Sequence, residues 1–452
     1  MTQQEFIRTI KEAGIVGAGG AGFPTWKKLE NPVDTVIING AECEPLLFKD
    51  VTLMENHAPE IIEGLQAVME TVGAAEGIVA IKNKNRKAIE RINAALKKNM
   101  RVFEMEDVYP AGDEYEVVFH ATGKRIPAGG FPFQIGVLVQ NVETIYNIRR
   151  ALKGFPVTDS LVTVSGAVES PLTAWFPLGM SYGDVLKAAG AITAENYIIL
   201  DGGPMMGKTV SDLNTTVSKT TSGLVIIDSE SHLAGRKSQS ERTFRKIGKS
   251  TCDQCSLCTE MCPRYLMGYP IQPHLVMRSL LTSDPLSSSL THWAQACCEC
   301  NVCSLWACPE ELDPRNVCAT TKRDLRQKGM WQEAEQQQSL MTEAHPLKEY
   351  RSVPTQRLMR KLGLDKLYRR APFREDIPSP HSLRISMKQH IGAAAEPLVS
   401  VGDRVKKGQP LARAAEAALS VPVHAPRDGV VAAVEEDAIT IIPDNQPPKL
   451  AR

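Results

Sequence analysis

Apolar residues along the first 155 positions follow two rhythms. Short continuous runs, "DTVIING" (34–40), "GIVAIK" (77–82), "RVFEM" (101–105) and "GVLVQ" (136–140), read as buried strands. Between them, "HAPEIIEGLQAVMETVG" (57–73) and "NRKAIERINAALKK" (85–98) place apolar residues at three- and four-residue steps, the period of an amphipathic helix. Strands alternating with helices predict an α/β unit with a parallel, doubly wound sheet. From 156 to 235 the pattern changes to "SLVTVSGAV", a short helix at "SYGDVLKAAG" and "YIILDGGPMMG", a small mixed α+β unit. The final stretch, 381–452, alternates over short spans broken by Gly402, Gly408, Pro426 and Gly429, which predicts a compact all-β module. The basic "GRKSQSERTFRKIGK" (235–249) and the proline-punctuated 336–380 read as linkers.

Composition narrows this only a little. A chain of 452 residues exceeds one ordinary core, and Lys+Arg and Asp+Glu stand at 52 each, so no global field favours nucleic acid or an anionic bilayer. No apolar run is long enough to span a bilayer, and "MTQQEFIRTIKEAG" lacks the pattern of a secretory signal, so a cytoplasmic location is expected.

Eleven cysteines change the picture, because ten of them fall between 252 and 318. Thiols packed this tightly in a large cytosolic chain point to metal rather than to disulfides. Cys252, Cys255, Cys258, Cys262 and Pro263 spell C-x2-C-x2-C-x3-C-P, the ferredoxin run, and Cys297, Cys300, Cys303, Cys308 and Pro309 repeat it with a last gap of four. Zinc explains three closely spaced thiolates less well. Two runs predict a two-cluster module over 236–335, with Cys308 crossing to the first cluster and Cys262 to the second. Cys298 is an alternative to Cys297, and Cys43 and Cys318 read as plain buried thiols.

The glycine-rich "GAGGAGFPTWKK" holds Gly17, Gly19 and Gly22 in G-x-G-x-x-G order, but the segment before it is helical rather than a strand, so the ordinary dinucleotide reading fails. Either a tight turn or close backbone approach to a phosphate, with Lys27 or Lys28 as counter-charge, accounts for it. Asn39, Glu42 and Glu44 in "INGAECEP" follow the end of a strand, the edge where open α/β sheets bind ligands. "YPAGDEYEV" adds Asp113 and Glu114, and "VLVQNVET" adds Asn141 and Thr144. Each of these alone is an ordinary loop or capping residue.

Taken together and in order, "GAGGAGFPT", "NGAECEP", "YPAGDE", "VQNVET", "GGPMMG" and the two cysteine runs resemble the RnfC family and the flavin-carrying, NADH-binding subunit of respiratory complex I. The resemblance spans roughly 1–325. It implies FMN and two [4Fe-4S] clusters, with NADH as donor and no side chain acting as acid or base. Gly17, Gly19, Gly20, Gly22 and Lys28 would cradle the FMN phosphate. Asn39, Glu42, Glu44, Asn141 and Thr144 would bind flavin, and Phe23 and Glu114 would face NADH. One departure is Ala41, where the complex I subunit has an acid. The implied architecture is a Rossmann-like flavin/NADH domain (1–155), a β-grasp, SLBB-like domain (156–235), a helical two-cluster domain (236–335), a linker (336–380) and a lipoyl-like barrel-sandwich module (381–452). That last module lacks the acceptor lysine of lipoyl domains. Because it comes last rather than first, the arrangement resembles the cobalamin reductases of propanediol-utilisation microcompartments. Cobalamin is then the expected substrate, with a corrinoid adenosyltransferase and shell proteins as partners. An RnfC-like ferredoxin-linked subunit and a non-catalytic scaffold are the alternatives.

Overall fold

A computed structural model describes residues 1–444; the end of the predicted β module, 445–452, lies outside the described residues. The N-terminal unit is built on β1 (Thr35–Gly40), β2 (Glu76–Lys82), β3 (Met100–Met105) and β5 (Val137–Asn141), with a two-residue strand β4 (Val108–Tyr109) apart from them. All four pair in parallel in the order β3-β2-β1-β5. β1 and β2 are buried almost end to end, as strands covered on both faces must be. Helix Ala58–Val72 buries Ile61, Ile62, Leu65, Val68, Met69 and Val72 and stops at Gly73 in the left-handed region. Glycine loop 17–22 follows helix Gln3–Glu12 and not a strand.

The second unit is a mixed sheet of β6 (Asp159–Gly166), β7 (Leu172–Pro177), β8 (Tyr197–Asp201), β9 (Lys208–Val210) and β10 (Gly223–Asp228), in the order β7-β6-β10-β8-β9. The C-terminal module is all β, in two small sheets; the larger pairs Leu383–Ser386, Ala438–Pro443, Gly429–Val434 and Arg404–Val405. One apolar cluster runs through all three units, from Ile38 and Leu65 through Leu161 and Val164 to Leu383, Leu411 and Ile441.

Both expected linkers are structured. The basic stretch forms helices His232–Lys237 and Glu241–Thr251, the second capped by Ser240 and burying Phe244. Within 336–380, Val353–Pro354 pairs with β4, and Val353, Leu358, Met359, Leu362 and Leu364 are buried. Prolines punctuate the segment, but these apolar side chains pin it to the N-terminal unit.

Candidate functional site

The carboxyl ends of β1 and β5 gather the segments that the sequence singles out. The glycine loop is closed at its base, where Gly17 N–H donates to Phe23 O (2.9 Å). It is tied to the helix Val142–Leu152, which follows β5, by Ala18 N–H donating to Thr144 Oγ1 (3.1 Å). Gly19 and Gly20 are exposed, and a Cβ at Gly20 would meet nothing within 4 Å. Bare backbone of this kind suits an incoming phosphate. Gly22 differs: its φ is +72°, and a Cβ there would lie 2.8 Å from Thr220 and 3.1 Å from the His390 backbone. The loop is therefore wedged between the second unit and the C-terminal module, with Phe23 half-buried.

Other expected residues already have partners. Lys28 Nζ donates to Glu114 Oε1 (3.0 Å) and Val139 O (3.2 Å), so the expected phosphate cation and the expected NADH-facing acid form one pair. Asn39 donates to Gly112 O (2.9 Å) and accepts from Ala41 N–H (3.2 Å); Ala41 itself is fully buried. Asn141 caps the following helix through Glu143 N–H (2.9 Å) and donates to Asp50 (2.9 Å). Glu42 accepts from the N–H groups of Lys49 (3.0 Å) and Asp50 (3.2 Å) at a helix start. Burial, then the Asp50 charge, pushes its carboxyl up to about 8.

Sequence reading missed Lys49, beneath the loop, and Gln140, at the end of β5. Lys49 is buried and pairs with Glu143, and its ammonium also reaches Ala18 O (3.5 Å). Gln140, which precedes Asn141, buries Nε2 with no protein partner. An orphaned buried donor at the carboxyl end of β5 is the kind of group that a bound polar ligand or an ordered water satisfies. A lysine inside an apolar run carries no local signal of its buried partner.

Glu44 faces the second unit. It accepts from Met205 N–H (2.9 Å) and Met206 N–H (2.7 Å), and a Cβ at Gly203 would sit 2.1 Å from its carboxylate, which explains the second glycine of "GGPMMG". Met205 O in turn accepts from Lys237 (2.7 Å) and from Asn301 Nδ2 (3.0 Å), the latter in the second cysteine loop. Tyr109, buried, donates its hydroxyl to Cys300 O (2.6 Å). Leu46, Leu47, Tyr109, Met205 and Cys300 share one apolar cluster.

The two cysteine loops have the same backbone. Gln254 and Ser256 are at φ 62° and 65°, and Glu299 and Asn301, at the same offsets from Cys297, are at 60° and 69°. Cys262 (φ −72°, ψ 120°) and Cys308 (φ −71°, ψ 119°) also coincide. The extra residue of the second run is absorbed by a π turn over Cys303–Ala307, closed by Cys308 N–H to Cys303 O (3.1 Å).

The thiols gather crosswise. Burial, then Cys308, Cys252 and Cys255, pushes Cys258 up to about 12. Burial, then Cys298 and Cys297 as thiol neighbours, raises Cys262. Buried thiols that discourage one another's ionisation need a coordinated cation to become thiolates. Among the described residues no three His, Cys, Asp or Glu side chains come close enough to hold one metal ion. A cubane, with four irons between its thiolates, calls for a wider cage than zinc with its bonds of about 2.3 Å. Cys318 is fully buried and Cys43 half-buried.

Known proteins share these parts. The Nuo51 FMN-binding domain matches residues 10–150, the SLBB domain 161–209, the 4Fe-4S dicluster domain 251–313 and the RnfC barrel sandwich hybrid domain 368–445. The cobalamin reductase PduS of Salmonella typhimurium is 41% identical, covering 98% of this chain and 97% of its own. Its Citrobacter freundii namesake is 41% identical over 97% and 96%. A component of the Clostridium ljungdahlii proton-translocating ferredoxin:NAD(+) oxidoreductase complex is 33% identical over 59% of this chain and 57% of its own. Among solved structures, an air-oxidized NAD+-reducing [NiFe]-hydrogenase aligns with TM-score 0.50 at 19% identity, over 81% of this chain and 66% of that one, a likeness of fold alone.

Proposed function

The chain belongs to the cobalamin reductase PduS family, and from that premise we propose that it is an oxidoreductase taking electrons from NADH, by way of FMN and two [4Fe-4S] clusters, to cobalamin. It would reduce cob(III)alamin and cob(II)alamin, regenerating the coenzyme B12 used in propanediol degradation inside a bacterial microcompartment. When bound, the flavin and clusters supply the conversion of a two-electron hydride donor into single-electron steps.

This chain's own residues hold and shape the sites. In our reading the glycine loop holds the FMN phosphate through the exposed Gly19 and Gly20, with Gly17 closing its base, Gly22 seating it and Lys28 as counter-charge. Asn39, Asn141 and Thr144 line the flavin edge, with Glu42 and Glu44 ordering the backbone around it. Phe23 and Glu114, which accepts from Lys28, stand on the NADH side. Cys252, Cys255, Cys258 and Cys308 ligate one cluster, and Cys297, Cys300, Cys303 and Cys262 the other. We keep the proposed units 1–155, 156–235, 236–335 and 381–452, and count 336–380 as packed scaffold. A corrinoid adenosyltransferase and shell proteins are the proposed partners. No helix among the described residues is long and apolar enough to cross a membrane.

One observation carries the reading. The Met205–Met206 peptide is held on its N–H, that of Met206, by Glu44 of the flavin lobe and on its C=O by Asn301 of the second cysteine loop. The two redox halves are thus locked in register through a shared hinge of backbone. The test is the purified, anaerobically reconstituted chain with NADH and hydroxocobalamin. Corrin reduction is expected; no corrin reduction, with ferredoxin still reduced, would favour an RnfC-like role instead.

A further inference from the structure

A cavity of about 550 Å³ opens where the N-terminal unit, the cysteine region and the segment around 326–337 meet. That size lies within the roughly 300–1,000 Å³ of small-molecule sites, and domain junctions are where such sites occur. Its wall includes Cys297 and Cys298 of the second cysteine loop. Gln295, also in that wall, is only 5% exposed, and neither its Oε1 nor its Nε2 has a protein partner. A buried amide left without both a donor and an acceptor is costly, and native chains rarely keep one unfilled.

The surroundings narrow the ligand. Arg264 is held by Asp113 (2.9 Å) and stacks 3.5 Å from the Tyr115 ring centre. Its charge is thereby engaged, though its Nε has no partner. Trp331 presents a half-buried indole backed by Arg326 at 4.3 Å. A donor and an acceptor side by side are the complement of another primary carboxamide, which closes two hydrogen bonds at once. Aromatic faces suit a flat, apolar body.

We propose that this cavity seats the carboxamide-bearing rim of a corrin, with Gln295 pairing to a ring acetamide or propionamide and Trp331 lying against the macrocycle, so that the substrate meets the second cysteine loop. The inference rests on the cobalamin-reductase reading above and gives that substrate a place. Nicotinamide also carries a carboxamide, so the experiment separates the two.

Hydroxocobalamin is titrated by equilibrium dialysis into the anaerobically reconstituted full chain and into Gln295→Leu and Trp331→Ala, with EPR of the reduced proteins counting both clusters in each. Each variant is expected to bind cobalamin about tenfold more weakly, about 1.4 kcal/mol, with the KM for NADH against ferricyanide unchanged. Trp331 is partly exposed, so its variant carries the test should Gln295→Leu fail to fold. Unchanged cobalamin affinity with both clusters present overturns the site. A raised KM for NADH with unchanged cobalamin affinity gives the cavity to nicotinamide and also overturns it. Wild-type protein that binds no cobalamin overturns the functional reading itself, and this site with it.

Discussion

Cys297 and Cys298 are adjacent thiols, and spacing leaves both open as ligands. Backbone conformation separates them: the left-handed residues Glu299 and Asn301 stand two and four positions after Cys297, as Gln254 and Ser256 stand after Cys252. Glu299 N–H also donates to Cys297 Sγ (3.3 Å), the kind of contact that tunes a cluster sulfur. Cys298 instead packs beside Cys300 on the flavin side. We expect Cys298→Ser to retain both cluster signals in EPR of the reduced protein and Cys297→Ser to lose one; the opposite result would reverse the assignment. The same scale shows what single residues conceal. Nothing near Lys28 or Glu114 in sequence announces that they pair across 86 positions, because a long-range ion pair is a property of the folded backbone.

At the scale of elements, each cysteine run is a unit whose conformation its own sequence carries. The one-residue difference between them becomes a π turn, with no change at the flanking cysteine. The glycine loop is the contrary case, since what fixes it comes from elsewhere. Lys219, buried, donates to Gly14 O (2.7 Å) and to Pro422 O (2.8 Å), joining the base of the loop to the C-terminal module. Burial pulls its ammonium down to about 7, and the two carbonyls are what hold it in place. Lys219→Met leaves both carbonyls unpaired and lets the loop drift. About tenfold weaker FMN retention is expected, read as flavin fluorescence released on dilution. Retention equal to wild type would mean that the loop does not depend on this tether.

For the whole molecule, the C-terminal module is a buttress held partly by charge. Asp159 on β6 accepts from Arg427 (2.8 Å) and Lys407 (3.0 Å) of that module. Burial acts to raise its carboxyl, but Arg427 and then Lys407 outweigh it and hold the group well below the ordinary carboxylate range. A folded-state value below the unfolded one stabilises the protein above the unfolded value, about 3.9, and that contribution is lost as pH falls toward the folded one. Limited proteolysis should therefore find the module docked from pH 8 down to about pH 4 and released only well below that, as the pH approaches the folded value. Asp159→Asn should cost about 2 kcal/mol at neutral pH, less than breaking a fully buried pair because Lys407 is 43% exposed. A module already released at pH 5, or as loose at pH 7 as in strong acid, would contradict this. The sequence by itself determined the strand-helix order, the all-β end and the two cysteine loops, since periodicity, turn residues and ligand spacing are written within short windows. Tertiary structure alone decided that the supposed linkers are scaffold, that Glu44 and Asn301 grip one peptide, and that the last module holds the first loop. Those contacts join residues far apart in the chain, and only closing the chain into a common core brings them within bonding distance.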